Sequence, residues 1–257
     1  MNYLCFGGNR LDRKALYLPN WENINYSFQK VGTQVTLATM CGIYTPSSVT
    51  EFPIKKIIGK PKYFNFQGWS SVKDFPIVDL SYATYDSLGS LFMQCSAVEH
   101  VDMTAYKIQD NPLFNGTYDQ GIYYSTFQSC TSLKSLVLPF SDKYEYMFYN
   151  TVSGCTSLED ITFVIENDSL DFQYSNCILS DCPLNERTLL QLADKLKPAT
   201  GIRNISLKQS TSEAVLLKYV KKDADGNLTV CEQDDPDTLG TLTYYISQVK
   251  GWAITLV

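Results

Sequence analysis

A single histidine, eight cysteines and a few clustered carboxylates are the side chains in these 257 residues with the means to do chemistry. His100 is the one histidine available as a general base, and it stands directly before the apolar Val101. A histidine triad needs a positioned nucleophile. The chain carries no Gly-x-Ser-x-Gly turn, no glycine-rich phosphate loop and no His-Glu-x-x-His zinc helix. His100 therefore reads as a polar residue at the edge of a strand. Glu159, Asp160, Asp168 and Asp171 lie along one stretch and could in principle act as the carboxylate pair of glycoside hydrolysis. Carboxylates this close in sequence more often form a solvated edge, so a carbohydrate depolymerase is the most distant functional reading. Cys177 and Cys182 form one close pair without the second pair that a structural zinc site needs. Asp223 to Asn227 (DADGN) opens like a calcium loop but lacks the later ligands and the closing glutamate, so it reads as a hairpin turn. These residues predict no catalytic, cofactor-binding or metal site, and the chain is expected not to be an enzyme.

The cysteines follow a different logic, which leads to the elements that must hold them. Cys95, Cys130, Cys155 and Cys182 recur in one phrase: an aromatic or aliphatic residue, the cysteine three later, then apolar positions three, three and two further on. The clearest copies are Phe127, Cys130, Leu133, Leu136, Leu138 and Val152, Cys155, Leu158, Ile161, Phe163. Drifted copies read Phe92, Cys95, Val98, Val101, Met103 and Phe66, Trp69, Val72, Phe75, Ile77, with Trp69 in the cysteine position. A faint first copy holds Ile43, Pro46, Val49, Phe52 and Ile54, and a truncated last one holds Leu179, Cys182 and Leu184. The anchors at 46, 69, 95, 130, 155 and 182 are 23, 26, 35, 25 and 27 residues apart, the long interval containing an insertion around Asp110 to Gln120. An internal repeat at this period is the mark of stacked structural units.

Each copy ends in an apolar, polar, apolar triplet, which places alternate side chains on one face of a short strand. One unit cannot bury that face alone. Stacking pairs the strands in parallel at roughly 4.8 Å and makes a slab about 25–30 Å long. The predicted repeat core is Trp69, Cys95, Phe127, Cys130, Leu133, Leu136, Leu138, Cys155, Leu158, Ile161 and Phe163. The cysteines are expected as buried free thiols acting as small hydrophobes, because a large core needs no disulfide framework.

The flanks differ. Residues 1–42 read as a small all-β module of apolar runs split by Gly7-Gly8, Pro19-Asn20 and Gly32, residues 43–184 as the repeat body, and residues 185–257 as an αβ cap. In the cap, Leu189, Leu190, Leu192, Ala193 and Leu196 predict a helix ending before Pro198. A strand through Ile202, Ile205 and Leu207 follows, then a helix from Glu213 to Lys221 capped by Ser210 or Ser212. A third helix from Asp237 to Lys250 leads to a closing strand from Ile254 to Val257.

With 21 basic against 27 acidic residues the chain carries −6, which argues against nucleic acid as a partner because phosphate binding needs a basic face. No segment is long and apolar enough for a membrane span, and the start at Met1 has no apolar run of export-signal length. The 18 tyrosines and 13 phenylalanines exceed what one core column holds. Tyr82, Tyr85, Tyr123, Tyr124, Tyr144 and Tyr146 are the candidate contact residues, since exposed tyrosine adds contact area at small entropic cost.

At FQSCTSLKSLVLP and VSGCTSLEDITF the sequence resembles the BspA-type leucine-rich repeat. The segment SDCPLNERTLLQLADKLKP and the closing Lys250-Gly251-Trp252 are similar to the C-terminal cap of such proteins from gut bacteria and their tailed phages. The resemblance implies an α/β leucine-rich-repeat solenoid of short parallel strands. It also implies one of two settings: a phage virion subunit (capsid decoration, head fibre or tail-associated) or a bacterial surface adhesin. Without an export signal, the expectation is a virion protein made in the host cytoplasm. Its expected partners are other virion proteins, a host surface protein or glycan, and further copies of itself.

Overall fold

The computed structural model describes residues 23–25, 50–52, 56–58, 60, 64–115, 122–140, 150–165, 170 and 177–257. Apart from Asn23–Asn25 the expected N-terminal module lies outside them, as do most of the faint first copy, Tyr144 and Tyr146. In chain order the elements are β1 (Asn23–Asn25), β2 (Lys56–Ile58), a single helical turn α1 (Tyr85–Leu88) and β3 (His100–Asp102). Three short 3-10 turns follow (Met103–Tyr106, Ile108–Asp110, Pro112–Asn115), then β4 (Ser135–Phe140), β5 (Asp160–Ile165), β6 (Cys177–Leu179) and α2 (Glu186–Lys195). The chain ends with β7 (Asn204–Leu207), α3 (Gln209–Leu216), β8 (Tyr219–Lys222), β9 (Leu228–Cys231), α4 (Leu242–Tyr244), a π-turn (Tyr245–Val249) and β10 (Ala253–Leu256).

The copies meet along two walls. On one, β3, β4 and β5 form a parallel sheet in which Val101, Leu136 and Ile161 are register partners, all buried beneath it. On the other, each copy makes a tight turn from its aromatic to its anchor, and the turns are bonded to one another. Phe66, Phe92 and Phe127 donate their amides to Leu91, Thr126 and Thr151 of the next copy, at 2.6, 2.8 and 2.9 Å. Farther along the chain this wall becomes a second parallel sheet, with β7 between β6 and β10.

The thiols bind this wall together. Cys95, Cys130 and Cys155 donate S–H to the carbonyls of Phe66, Phe92 and Phe127, one copy back, at 2.9, 3.0 and 3.0 Å, and Cys182 reaches Val152 at 3.7 Å. Each of those carbonyls also accepts the amide of the anchor in its own copy, so it serves two copies at once. Trp69 stands where the donor thiol would be; its indole N–H is buried and has no partner among the described residues. Above this ladder Phe66, Phe92 and Phe127 stack, with centroids 5.2 and 5.6 Å apart.

The turn demands an unusual backbone. Gly68, Gln94, Ser129 and Gly154, each immediately before an anchor, all have positive φ (83°, 64°, 63° and 74°). Side chains with a Cβ pay about 1–2 kcal/mol for that conformation. Gln94→Gly and Ser129→Gly should therefore raise the melting temperature, with a gain in stability of up to about 1 kcal/mol after the added backbone entropy of glycine. Parallel thermal melts check this, and lower stability in both variants would mean the turn is misassigned.

Two ends need closure. The open edge of β5 is covered by α2: the Thr188 hydroxyl accepts from Ile161 N–H at 3.0 Å and the Gln191 amide oxygen from Phe163 N–H at 3.5 Å. Unpaired strand edges invite pairing with other chains, and side chains from a helix remove that hazard. Asp181 ends the turn ladder by accepting the Gly154 N–H at 2.7 Å where an earlier copy supplies a carbonyl.

Several expectations need correction. In the Trp69 copy no strand forms: Ile77 is 54% exposed, while Val78 and Leu80 are fully buried in its stead. The helix expected at Glu213–Lys221 lies at Gln209–Leu216, with Lys208 rather than a serine at its N-cap. The reason is the β8–β9 hairpin, in which Val220 opposes Val230 and Asp223 accepts the amides of Asp225 and Asn227 in the turn. The third helix starts only after Thr241, because Leu239 and Gly240 are bonded to Val220 of β8, the Leu239 amide donating to its carbonyl and the Gly240 carbonyl accepting its amide. Ile202 is 97% exposed and precedes β7 rather than joining it.

Candidate functional site

Alternation along the strands fixes which side chains face outward. With Val101, Leu136 and Ile161 inside, their neighbours His100, Ser135 and Asp160 form one outward row, since all three are register partners. His100 Nδ1 lies 2.7 Å from the Ser135 hydroxyl. Asp160 turns to the other side, pairing with Arg187 of α2 and accepting from Thr188. The hydroxyl thus sits between imidazole and carboxylate. A hydrolytic triad needs the imidazole in the middle, oriented by the acid on one nitrogen and facing the nucleophile with the other. This row instead offers three different polar groups at strand spacing.

A row of charge borders it. Lys73, Glu99 and Lys134 each stand four residues after an anchor, and both lysine ammonium groups converge on Glu99, at 2.8 and 2.7 Å. Hydrogen bonds from Lys134 and then Lys73 hold the Glu99 carboxyl down to about 2. Its folded value lies below the ordinary 4.5, so this stabilisation is present above about pH 4.5 and is lost as pH falls toward 2. In melts of parent and Glu99→Gln across that range, the gap should be open near neutrality and closed at the acid end. A gap independent of pH would remove the ion pairs from the account. The group is exposed, so the gap should also shrink with salt.

Between residues 73–77 and β3 lies a cleft of about 160 Å³, whose lining includes Ile77, Val98 and Tyr106 and the polar residues Asp74, His100 and Asp102. It opens where the Trp69 copy lacks its strand and turns Ile77 outward. Nothing in the repeat frame marked Asp74, Asp102, Tyr106 or Ser135. The nearest signal was the long interval between the anchors at 95 and 130, read as an insertion around Asp110 to Gln120, and it lies beyond Tyr106.

The tyrosines separate. Tyr82 is 64% exposed, and Tyr85 and Tyr124 are half-buried and both lie close to Gly89. Tyr123 is removed from the contact candidates: it is fully buried, and its hydroxyl donates to the Pro139 carbonyl at 3.2 Å. All eleven residues of the expected repeat core are buried. The six described cysteines are free thiols, and burial pushes Cys155 up to about 12 and Cys130 and Cys182 well upward, which disfavours the reactive thiolate. Among the described residues no group of three or more His, Cys, Asp or Glu can hold a metal ion, and no helix is long and apolar enough to cross a membrane. Comparison with protein-family models, with curated proteins and with solved structures finds no match to this chain.

Proposed function

We propose that this chain is a non-enzymatic structural and binding protein of a bacteriophage virion, a capsid-decoration, head-fibre or tail-associated subunit. Its copies stack as a leucine-rich-repeat solenoid of the BspA type. The observation that carries the reading is the outward face of β3, β4 and β5. There His100, Ser135 and Asp160 stand in register beside the row of Lys73, Glu99 and Lys134. Such a face presents mixed polar groups at fixed spacing over several strands, which suits contact with another macromolecule over an area. Placing the serine between the histidine and the acid favours binding over acyl transfer. The virion setting is supported by the resemblance of the Cys-Thr-Ser-Leu copies and of Lys250-Gly251-Trp252.

The test is rebinding. The full chain is measured by light scattering for a homo-oligomer and then co-sedimented with phage particles that lack it. A defined oligomer that returns to particles supports the proposal. A monomer that ignores particles and binds bacterial envelopes replaces it with a BspA-type surface adhesin. Release of reducing ends from host polysaccharide would overturn the non-enzymatic part.

A further inference from the structure

We propose that the cleft between residues 73–77 and β3 binds one neutral pyranose ring, held by Tyr106, Asp74, Asp102 and His100 against the apolar wall of Ile77. The first reason is Tyr106. It is only 4% exposed, its ring lies edge-on to Phe66 and Phe92 at 6.4 and 5.7 Å, and it lines the cleft. Its hydroxyl makes no hydrogen bond to any described residue and is not among the side-chain atoms sealed from solvent, so within a buried residue it stays free to bond a ligand. Burial pushes the phenol well above its usual range, so it stays protonated and able to donate.

The second reason is that the neighbouring polar groups have capacity left over. Asp102 uses Oδ1 for the amide and hydroxyl of Thr104, at 2.9 and 2.6 Å, and its other oxygen has no partner among the described residues. Asp74 is exposed and accepts no hydrogen bond there. His100 spends Nδ1 on Ser135, so either tautomer leaves Nε2 unengaged. A cleft of about 160 Å³ suits one six-membered ring, since a cavity of ~150 Å³ holds benzene.

Chemistry narrows the class. Two carboxylates accept from hydroxyl donors, and hydrogen bonds to charged acceptors are the stronger kind. Lys73 is engaged by Glu99, so the cleft offers no free cation to an acidic sugar. The exposed face of Ile77 covers the C–H side of a ring. The inference stands apart from the virion reading: failure to rebind particles leaves it intact, and its own failure leaves rebinding untouched.

The experiment is saturation-transfer NMR on the full chain with the methyl glycosides of glucose, galactose and mannose. Tyr106→Phe keeps the ring and removes only the hydroxyl; Asp74→Asn alters an exposed group. We expect at least one glycoside to bind and both variants to lose affinity with unchanged melting, Asp74→Asn by about tenfold or more, the scale of one charge-assisted hydrogen bond, and Tyr106→Phe by about fivefold, the scale of a neutral one. The proposal is overturned if none of the three glycosides binds, or if binding survives both substitutions. Binding of n-butylammonium in their place would also overturn it, since that marks a site for a cationic side chain.

Discussion

Phe127→Ala should lower the unfolding free energy by about 3–5 kcal/mol, the range for truncating a buried aromatic. The ring is fully buried and stacks on Phe92 at 5.6 Å with planes only 8° apart. What makes the site expensive is that its surroundings cannot close over the gap. The Phe127 amide is tied to Thr151, and its carbonyl accepts both the Cys130 amide and the Cys155 thiol. Backbone held on both sides leaves the cavity open, and the loss per cavity volume then approaches its upper value. Leu133→Ala, also fully buried, should cost about 2–5 kcal/mol by the same mechanism, and Phe127→Leu distinctly less because most of the volume stays. Native domains have only about 5–15 kcal/mol in total, so equilibrium urea unfolding of all three variants resolves the differences. Should Phe127→Ala and Leu133→Ala both unfold at the parent's midpoint, the aromatic-to-cysteine frame would not describe the core.

That frame was legible because apolar side chains on a repeated unit must land on the same wall each time. Leu136 and Ile161, 25 residues apart, are register partners, and Cys130 and Cys155 occupy equivalent buried places. Reading the cysteines as small hydrophobes caught their burial and missed their bonding, because nothing in residue order shows that a carbonyl of the preceding copy lies within reach of the thiol. The positive φ before each anchor was half visible, in Gly68 and Gly154, and hidden where Gln94 and Ser129 carry the same conformation. Frame slips were invisible: Ile77 and Val78 are both apolar, and only tertiary packing decides that Val78 turns inward and Ile77 outward. Likewise Tyr219 to Lys222 continues a helical pattern on paper, but pairing with Leu228 to Cys231 outweighs helical preference. The candidate site depended on such tertiary choices. Its residues come from an unpaired segment, a strand and the 3-10 turn that follows it, and no spacing rule connects Asp74 to Tyr106.

The closing Lys250-Gly251-Trp252 has a mechanical role from which the second large effect follows. Trp252 is buried, and its indole N–H donates to the Lys197 carbonyl at 2.9 Å. Gly251 takes φ +73°, where a Cβ would meet Ala199 at 3.5 Å, which lets the chain turn tightly beside the end of α2. Lys250 then places its ammonium on the carbonyls of Asp194 and Leu196, at 2.8 and 2.6 Å, satisfying groups the helix end leaves open. Three consecutive residues thus hold the C-terminal end of α2, and α2 in turn holds the edge of β5 through Thr188 and Gln191. Trp252→Ala should therefore cost about 3–5 kcal/mol and act at a distance. Hydrogen exchange at the Ile161 and Phe163 amides should accelerate, and a released β5 edge should promote association at high protein concentration. Lys250→Met keeps the side chain's length, removes only the cap, and should cost less, about 1–3 kcal/mol for the carbonyls it strands. If Trp252→Ala lost stability while those two amides kept the parent's protection, its contribution would be local packing, and α2 would hold the sheet edge without help from the chain's last strand.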